Sequence, residues 1–370
     1  MYNPLQLKNN FNNVEHGKAR MSAIREAICE ADKNNDLAYG LGFRLDLCNE
    51  SCFYDDSMDM MIIFPEILAI IDKHPDLPST YGGNAFINGL DHVLFVYKWV
   101  LGSCDIYYQI PFDDCLKFFD DFKKRCTSFG YNLKPYYKSM YDFYLMIDEE
   151  FADECFQNFM KLPKDGNGDC SACNRNKEIE YYLAKGNLEK ADELAKDIEN
   201  FKLTCGSRDD YEAWLRMKAQ YLDYYMEKKD FDGAIKYIKQ IERKLSNTDK
   251  SEYEYWEKFL YCYTYTDMGK ALKIYKENWK KWQNERCPSD KFDAYMYIAI
   301  FFKELEKQRK GNTIRLSFDN SFPLYNEKGE YEIIKLRDFY YNGAIDIAMK
   351  FDKRNGTNYF VEKLRKWYGV

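Results

Sequence analysis

A small residue with apolar residues three and four positions later recurs along this chain, each time just after a polar or glycine-containing turn. No other feature limits the fold as strongly. The copies are Cys115 with Phe118 and Phe119, Ala152 with Cys155 and Phe156, and Ala191 with Leu194 and Ala195. Ala234 with Tyr237 and Ile238, and Ala271 with Ile274 and Tyr275, continue the series. The anchors are 37, 39, 43 and 37 residues apart, and a late copy, Ala344 with Ile347 and Ala348, follows after 73, about two periods. Self-similarity in this range marks stacked supersecondary units.

The clearest unit runs from Glu178 to Ala195. Ile179, Tyr182 and Leu183 share one face of a first helix, and Gly186-Asn187 makes the turn. Leu188, Ala191, Leu194, Ala195 and Ile198 then form an apolar stripe at helical spacing on a second helix. The anchor is small because the two helices of a hairpin approach closely there. Tyr225 to Ile241 repeats the scheme with Lys229-Asp230 at the turn. Further helices are expected over Lys18–Lys33 and Met58–Lys73, with a glycine-rich insertion at Leu77–Gly89. Near the C-terminus, residues 313–318 and 331–336 alternate as strands do around Asn326-Glu-Lys-Gly329, and helices are expected over Tyr340–Phe351 and Asn358–Tyr368. The expected architecture is all-α: a helical-hairpin solenoid over residues 1–310, with a small β-hairpin and capping helices over 311–370 packed on it.

Three stretches together resemble an uncharacterised group of bacterial tetratricopeptide-like proteins. They are Asp169-Cys-Ser-Ala-Cys173 with the later Leu203-Thr-Cys205, Lys98-Trp99 with Ile110-Pro-Phe112, and Phe351-Asp-Lys-Arg-Asn-Gly356. The likeness covers roughly residue 90 to the end. It implies a repeat scaffold and brings no activity with it. The usual tetratricopeptide period is about 34 residues; the period here is longer and drifts. Many relatives carry a histidine about five positions after the third cysteine, where this chain has Asp210.

Those cysteines form the one chemical constellation in the sequence. Residues 170–173 precede the first helix of a hairpin and Cys205 follows its second, so both lie at the same end of the pair. A Cys-x-x-Cys turn offers two thiolates to one tetrahedral ion, and a third from a distant segment closes the hairpin. The expected site is structural Zn2+ held by Cys170, Cys173 and Cys205, with Asp210, Asp209 or a water in the fourth place. Unliganded thiols are the competing reading. A redox role is the third, and it expects a βαβ unit beside the motif.

The remaining candidates read first as structure. Asn355-Gly356 suits a helix C-cap and Thr357 an N-cap, while Arg354 on an exposed loop would suit a carboxylate or phosphate. The acidic run Asp46–Asp59, with Glu50, Asp55 and Asp56, has no calcium-loop spacing and suits a solvated helix end. Cys48 and Cys52 fall on one helical face, and Gly82-Gly83-Asn84 is a lone turn. His16 and His74 have polar surroundings, and His92 begins an apolar helix. No Ser-His-Asp or Cys-His pairing stands out, so no catalytic residue is expected.

The chain has 46% hydrophobic and 31% charged residues and a net charge of -7, which suits a folded protein and argues against general binding to nucleic acid or anionic membranes. The N-terminus lacks an apolar leader, and Asp59, Pro65 and Glu66 interrupt the most apolar stretch, so a cytoplasmic location is expected. There, the 12 cysteines would be thiols or metal ligands. The function expected is a non-enzymatic scaffold that holds a protein or peptide on a concave face. A ligand-sensing regulator and an enzyme are the alternatives; a basic face would favour the first and a deep polar pocket the second.

Overall fold

The structure, a computed structural model, describes residues 2–54, 58–81, 87–164, 166–206, 211–245, 255–308 and 311–370. The protein is all-α, with helices paired as hairpins and two small antiparallel strand pairs. By contacts it divides into two compact units, one of residues up to Gly168 with Arg354–Thr357, the other of Asp169–Lys353 with Asn358–Val370.

The first unit contains α1 (Pro4–Asn12), α2 (Lys18–Lys33), α3 (Leu37–Tyr54) and α4 (Met58–Lys73), then β1 (Pro78–Ser79) paired with β2 (Ile87–Asn88). It continues with α5 (Gly89–Ile106), α6 (Phe112–Ser128), α7 (Lys134–Tyr144) and α8 (Glu149–Lys161). Helices α2 and α4 have the bounds expected from the sequence. Gly82-Gly83-Asn84 and the acidic pair Asp55-Asp56 lie outside the described residues.

The second unit contains the hairpins α9 (Ser171–Ala184) with α10 (Leu188–Glu199), α11 (Glu212–Glu227) with α12 (Phe231–Leu245), and α13 (Trp256–Thr266) with α14 (Met268–Asn284). Then come α15 (Pro288–Gln308), β3 (Thr313–Arg315), β4 (Glu330–Glu332), α16 (Ile333–Asn355, whose last two residues count with the first unit) and α17 (Tyr359–Tyr368). Ile314 pairs with Tyr331 across the β3–β4 ladder. Among the described residues no helix is long and apolar enough to cross a membrane.

All six small anchors are fully buried. Cys115, Ala152, Ala191, Ala234 and Ala271 are each the fourth residue of their helices, α6, α8, α10, α12 and α14. The sequence carries a further signal in phase with them. Asp148, Asn187, Asp230 and Asp267 stand four residues before the alanines, and each carboxylate or amide oxygen accepts the backbone N–H three residues on, at 3.0–3.1 Å. The carbonyl of each cap accepts the anchor's own N–H. The cap thus starts the helix one turn before the close approach. The preceding turns are alike: Gly186 and Lys229 both take left-handed φ values, 71° and 56°. Glycine does so freely, whereas lysine pays a steric cost.

Two expectations change. The interval of 73 residues is not two periods. One long helix, α15, and the β-hairpin stand between α14 and α16, so a lengthened connection fills the gap. The second strand also stops at Glu332, and α16 starts at Ile333. Ile333, Leu336, Tyr340, Ala344 and Ile347 are buried at helical spacing, and that longer pattern overrides the short alternation over 331–336.

Replacing the buried anchor Ala191 by Leu is expected to destabilise the protein by about 1–3 kcal/mol through overpacking. Lys229→Gly should stabilise it by about 1 kcal/mol by relieving the left-handed lysine. Denaturant unfolding of both variants checks the pair; a harmless leucine at 191 would contradict the close approach.

Candidate metal centre and binding cleft

Cys170 is the N-cap of α9, and its Sγ accepts the Cys173 N–H at 3.3 Å. The Cys-x-x-Cys turn is therefore formed by the start of the helix itself. At the same end of the hairpin, α10 stops at Glu199, and left-handed Phe201 (φ 53°) turns the chain back toward Leu203 and Cys205. Cys173 Sγ and Cys205 Sγ are 3.6 Å apart, and all three sulfurs lie within 4.8 Å of one another. Leu203, Cys170 and Cys205 pack on the apolar core that Ile179, Ala191 and Ile198 form between α9, α10 and α11.

Three ligands at about 2.3 Å from a tetrahedral ion would stand ~3.8 Å from each other. The Cys173–Cys205 separation fits that edge, so the cluster could hold a metal ion. Burial pushes the Cys173 thiol up to about 11, and the neighbouring Cys170 adds to it. Burial likewise raises Cys205, with Cys173 and Glu212 adding to it. Such thiols stay protonated in the absence of a cation, and a bound metal would displace the protons. Among the described residues no fourth His, Cys, Asp or Glu joins the group. Asp210 and Asp209, expected as its completion, lie outside the described residues. Six of the other cysteines, Cys48, Cys104, Cys115, Cys126, Cys155 and Cys262, are buried, as packed thiols are.

The same unit contains a cleft that no sequence motif announces. Its volume is about 510 Å³, and its walls come from α9, α11, α13, α15 and α17. Among the hairpins that carry alanine anchors here, the second helices bear the anchors and the first helices supply the walls. Arg216, Gln220, Asp223, Tyr224 and Glu227 fall on one face of α11. Lys258 faces them from α13, Asp293 and Tyr297 from α15, and Lys363 and Trp367 from α17. Lys258 pairs with Asp223 at 2.8 Å and Lys363 with Asp293 at 2.7 Å. Burial opposes the charge of Lys258, but Asp223 and Glu257 outweigh it and hold the ammonium firmly.

A second cavity of about 280 Å³ adjoins the cleft and shares Tyr255, Lys258 and Asp293 with it. Glu257, Lys281, Trp282, Glu285, Asp290 and Ala294 complete its walls. Burial raises the Glu257 carboxyl to about 7 against the opposing charge of Lys258, with Asp290 and Asp293 adding to the rise. Burial also raises Asp290 to about 6, helped by Glu285 and Asp293.

Other candidate residues are absorbed by structure. Arg354 is part of α16 and not of an exposed loop; its guanidinium donates to the carbonyls of Cys104 at 2.5 Å and Tyr107 at 3.2 Å, at the end of α5. Gly356 takes the left-handed φ of a C-cap, 70°. Thr357 does not cap α17: its hydroxyl donates to Met146 O, and Asp352 accepts the N–H groups of Phe360 and Val361. Glu50 is buried, not solvated, and accepts the Gly17 N–H at the start of α2 while pairing with His16. His92 meets the Ser79 hydroxyl at 3.2 Å, and burial lowers its pKa.

Glu257 makes a pH dependence that can be measured. Its folded value of about 7 lies above the ordinary 4.5, so between these values the folded chain keeps a proton that the unfolded chain has released. Its contribution to stability therefore falls as pH rises through that window. Glu257→Gln should raise Tm at pH values well above 7 and change it little below 4.5. Equal shifts at both ends would contradict a carboxyl raised by burial.

Neither a protein-family model nor a curated protein matches the chain.

Proposed function

We propose that the protein is a non-enzymatic scaffold of the tetratricopeptide type, which holds a peptide segment of another protein in the cleft of its second unit. The observation that carries this reading is the cleft itself: five helices line it, and its volume of about 510 Å³ suits a few residues of an extended chain. Tyr224, Tyr255, Tyr297 and Trp367 give it aromatic contact area, and the Lys–Asp pairs supply fixed polar groups. Cys170, Cys173 and Cys205 hold a structural zinc ion in this reading, with Asp210 or a water as the fourth ligand. The ion closes the hairpin whose first helix, α9, contributes Glu180 and Leu183 to the cleft.

A ligand-sensing regulator is the second reading. It is favoured by the pair Lys363–Asp293, which ties α17 to α15 at the cleft and which an entering ligand would contest.

Metal analysis of protein purified without chelator should find roughly one zinc per chain, and Cys173→Ser should lose it. Less than about a third of an equivalent in the parent protein would contradict the zinc site. For the cleft, affinity capture from the native cells with the parent chain and with Trp367→Ala compares the two directly. A protein retained by the parent and lost by the variant is expected; identical captures would contradict the cleft as the binding site.

A further inference from the structure

The charges of the cleft are paired within the protein. Besides the two Lys–Asp pairs, Glu227 meets Lys366 at 2.7 Å, Glu180 meets Lys177 at 2.8 Å and Arg216 meets Glu212 at 2.5 Å. A self-neutralised wall of this kind suits neutral main chain. The adjoining cavity is different. Of its charged residues, Lys258 and Asp293 are already engaged by Asp223 and Lys363. That leaves Glu257, Glu285 and Asp290 facing Lys281. The Glu285 carboxylate accepts the N–H groups of Arg286 and Cys287. The Glu257 carboxylate makes no hydrogen bond or ion pair with another residue among the described residues, although it lines the cavity.

We infer that the peptide held in the cleft projects one positively charged side chain, lysine or arginine, into the adjoining cavity, where Glu257 and Asp290 receive it. This rests on the peptide-binding reading and adds the chemistry of the occupant. Glu257 is partly buried and has the charge of the adjacent Lys258 near it, but no hydrogen bond to that ammonium. An entering cation within hydrogen-bond distance would add an interaction the carboxylate now lacks. Tyr255 and Trp282 border the same space, and the Lys258 ammonium already lies 5.7 Å from the centre of the Tyr255 ring. Burial raises both carboxyls against the opposing charge of Lys258, so a second cation beside them would lower both. Tyr255, Lys258 and Asp293 mark the junction, so a side chain passes there while its main chain stays in the cleft.

The test uses the full chain and two immobilised libraries of acetylated, amidated hexapeptides, one with a fixed central lysine, the other with norleucine in its place. The best lysine peptides should bind about ten-fold or more tightly than their norleucine partners, a free-energy difference that one buried ion pair supplies. That advantage should vanish in Glu257→Gln and in Asp290→Asn, with unfolding curves confirming that both variants fold. Equal binding of the two libraries would overturn the cation inference and leave the peptide reading standing. Binding of neither library would overturn both. Cadaverine, a free diamine, separates the sources of the cation: competition only at far higher concentration than the peptides is expected, and equal potency would overturn a peptide as the occupant.

Discussion

The close approach of two helices at a small buried residue is the constraint on which the rest of the second unit depends. At Ala191, Ala234 and Ala271 a second helix comes near enough to its neighbours that the side chain is fully covered. The phase is set locally, by an Asp or Asn cap four residues earlier whose side chain and carbonyl together bind the first turn. The first helices are then left to meet other partners. Tyr221 and Tyr225 of α11 stack on Tyr237 of α12, and the opposite side of α11 presents Arg216, Asp223 and Glu227 to the cleft.

The same hairpin geometry gathers the cysteines. Cys170 begins α9 and Cys205 follows α10, so a chain that closes the hairpin also brings the sulfurs to one end of it. Ile198 and Ala195 bury the inner side of α10 against that core, and a metal at the open end would fasten what the apolar contacts begin. The cleft and the cysteine cluster thus share one element, α9, with its N-cap at the sulfurs and Leu183 at the cleft.

Much of this was legible in the chain because the relevant signals are local. A buried alanine with apolar residues three and four positions on is visible in one helix, and α2 and α4 could be delimited from their own patterns. Signals that needed partners from elsewhere were not. Arg354 looks exposed until its carbonyl partners on Cys104 and Tyr107, some 250 residues away, are known. Glu50 looks solvated until Gly17 and His16 arrive. The short alternation at 331–336 obeyed both periods, and only the burial of Tyr340 and Ala344 further along decides for a helix. The cleft has no motif because α11 supplies only one of its walls and the rest come from four other helices spread along the chain. The caps at Asp148, Asn187, Asp230 and Asp267 were readable and lay in phase with the anchors.

The central claim is that the face shared by the first helices is where this protein meets its partner. A photo-reactive amino acid placed at Tyr224, in the cleft, and separately at Met349, an exposed position on α16, tests it most directly in the native cells. The account predicts a discrete covalent adduct with another protein from position 224 and none of the same mass from 349. The same adduct from both positions, or none from 224 while 349 gives one, would contradict it.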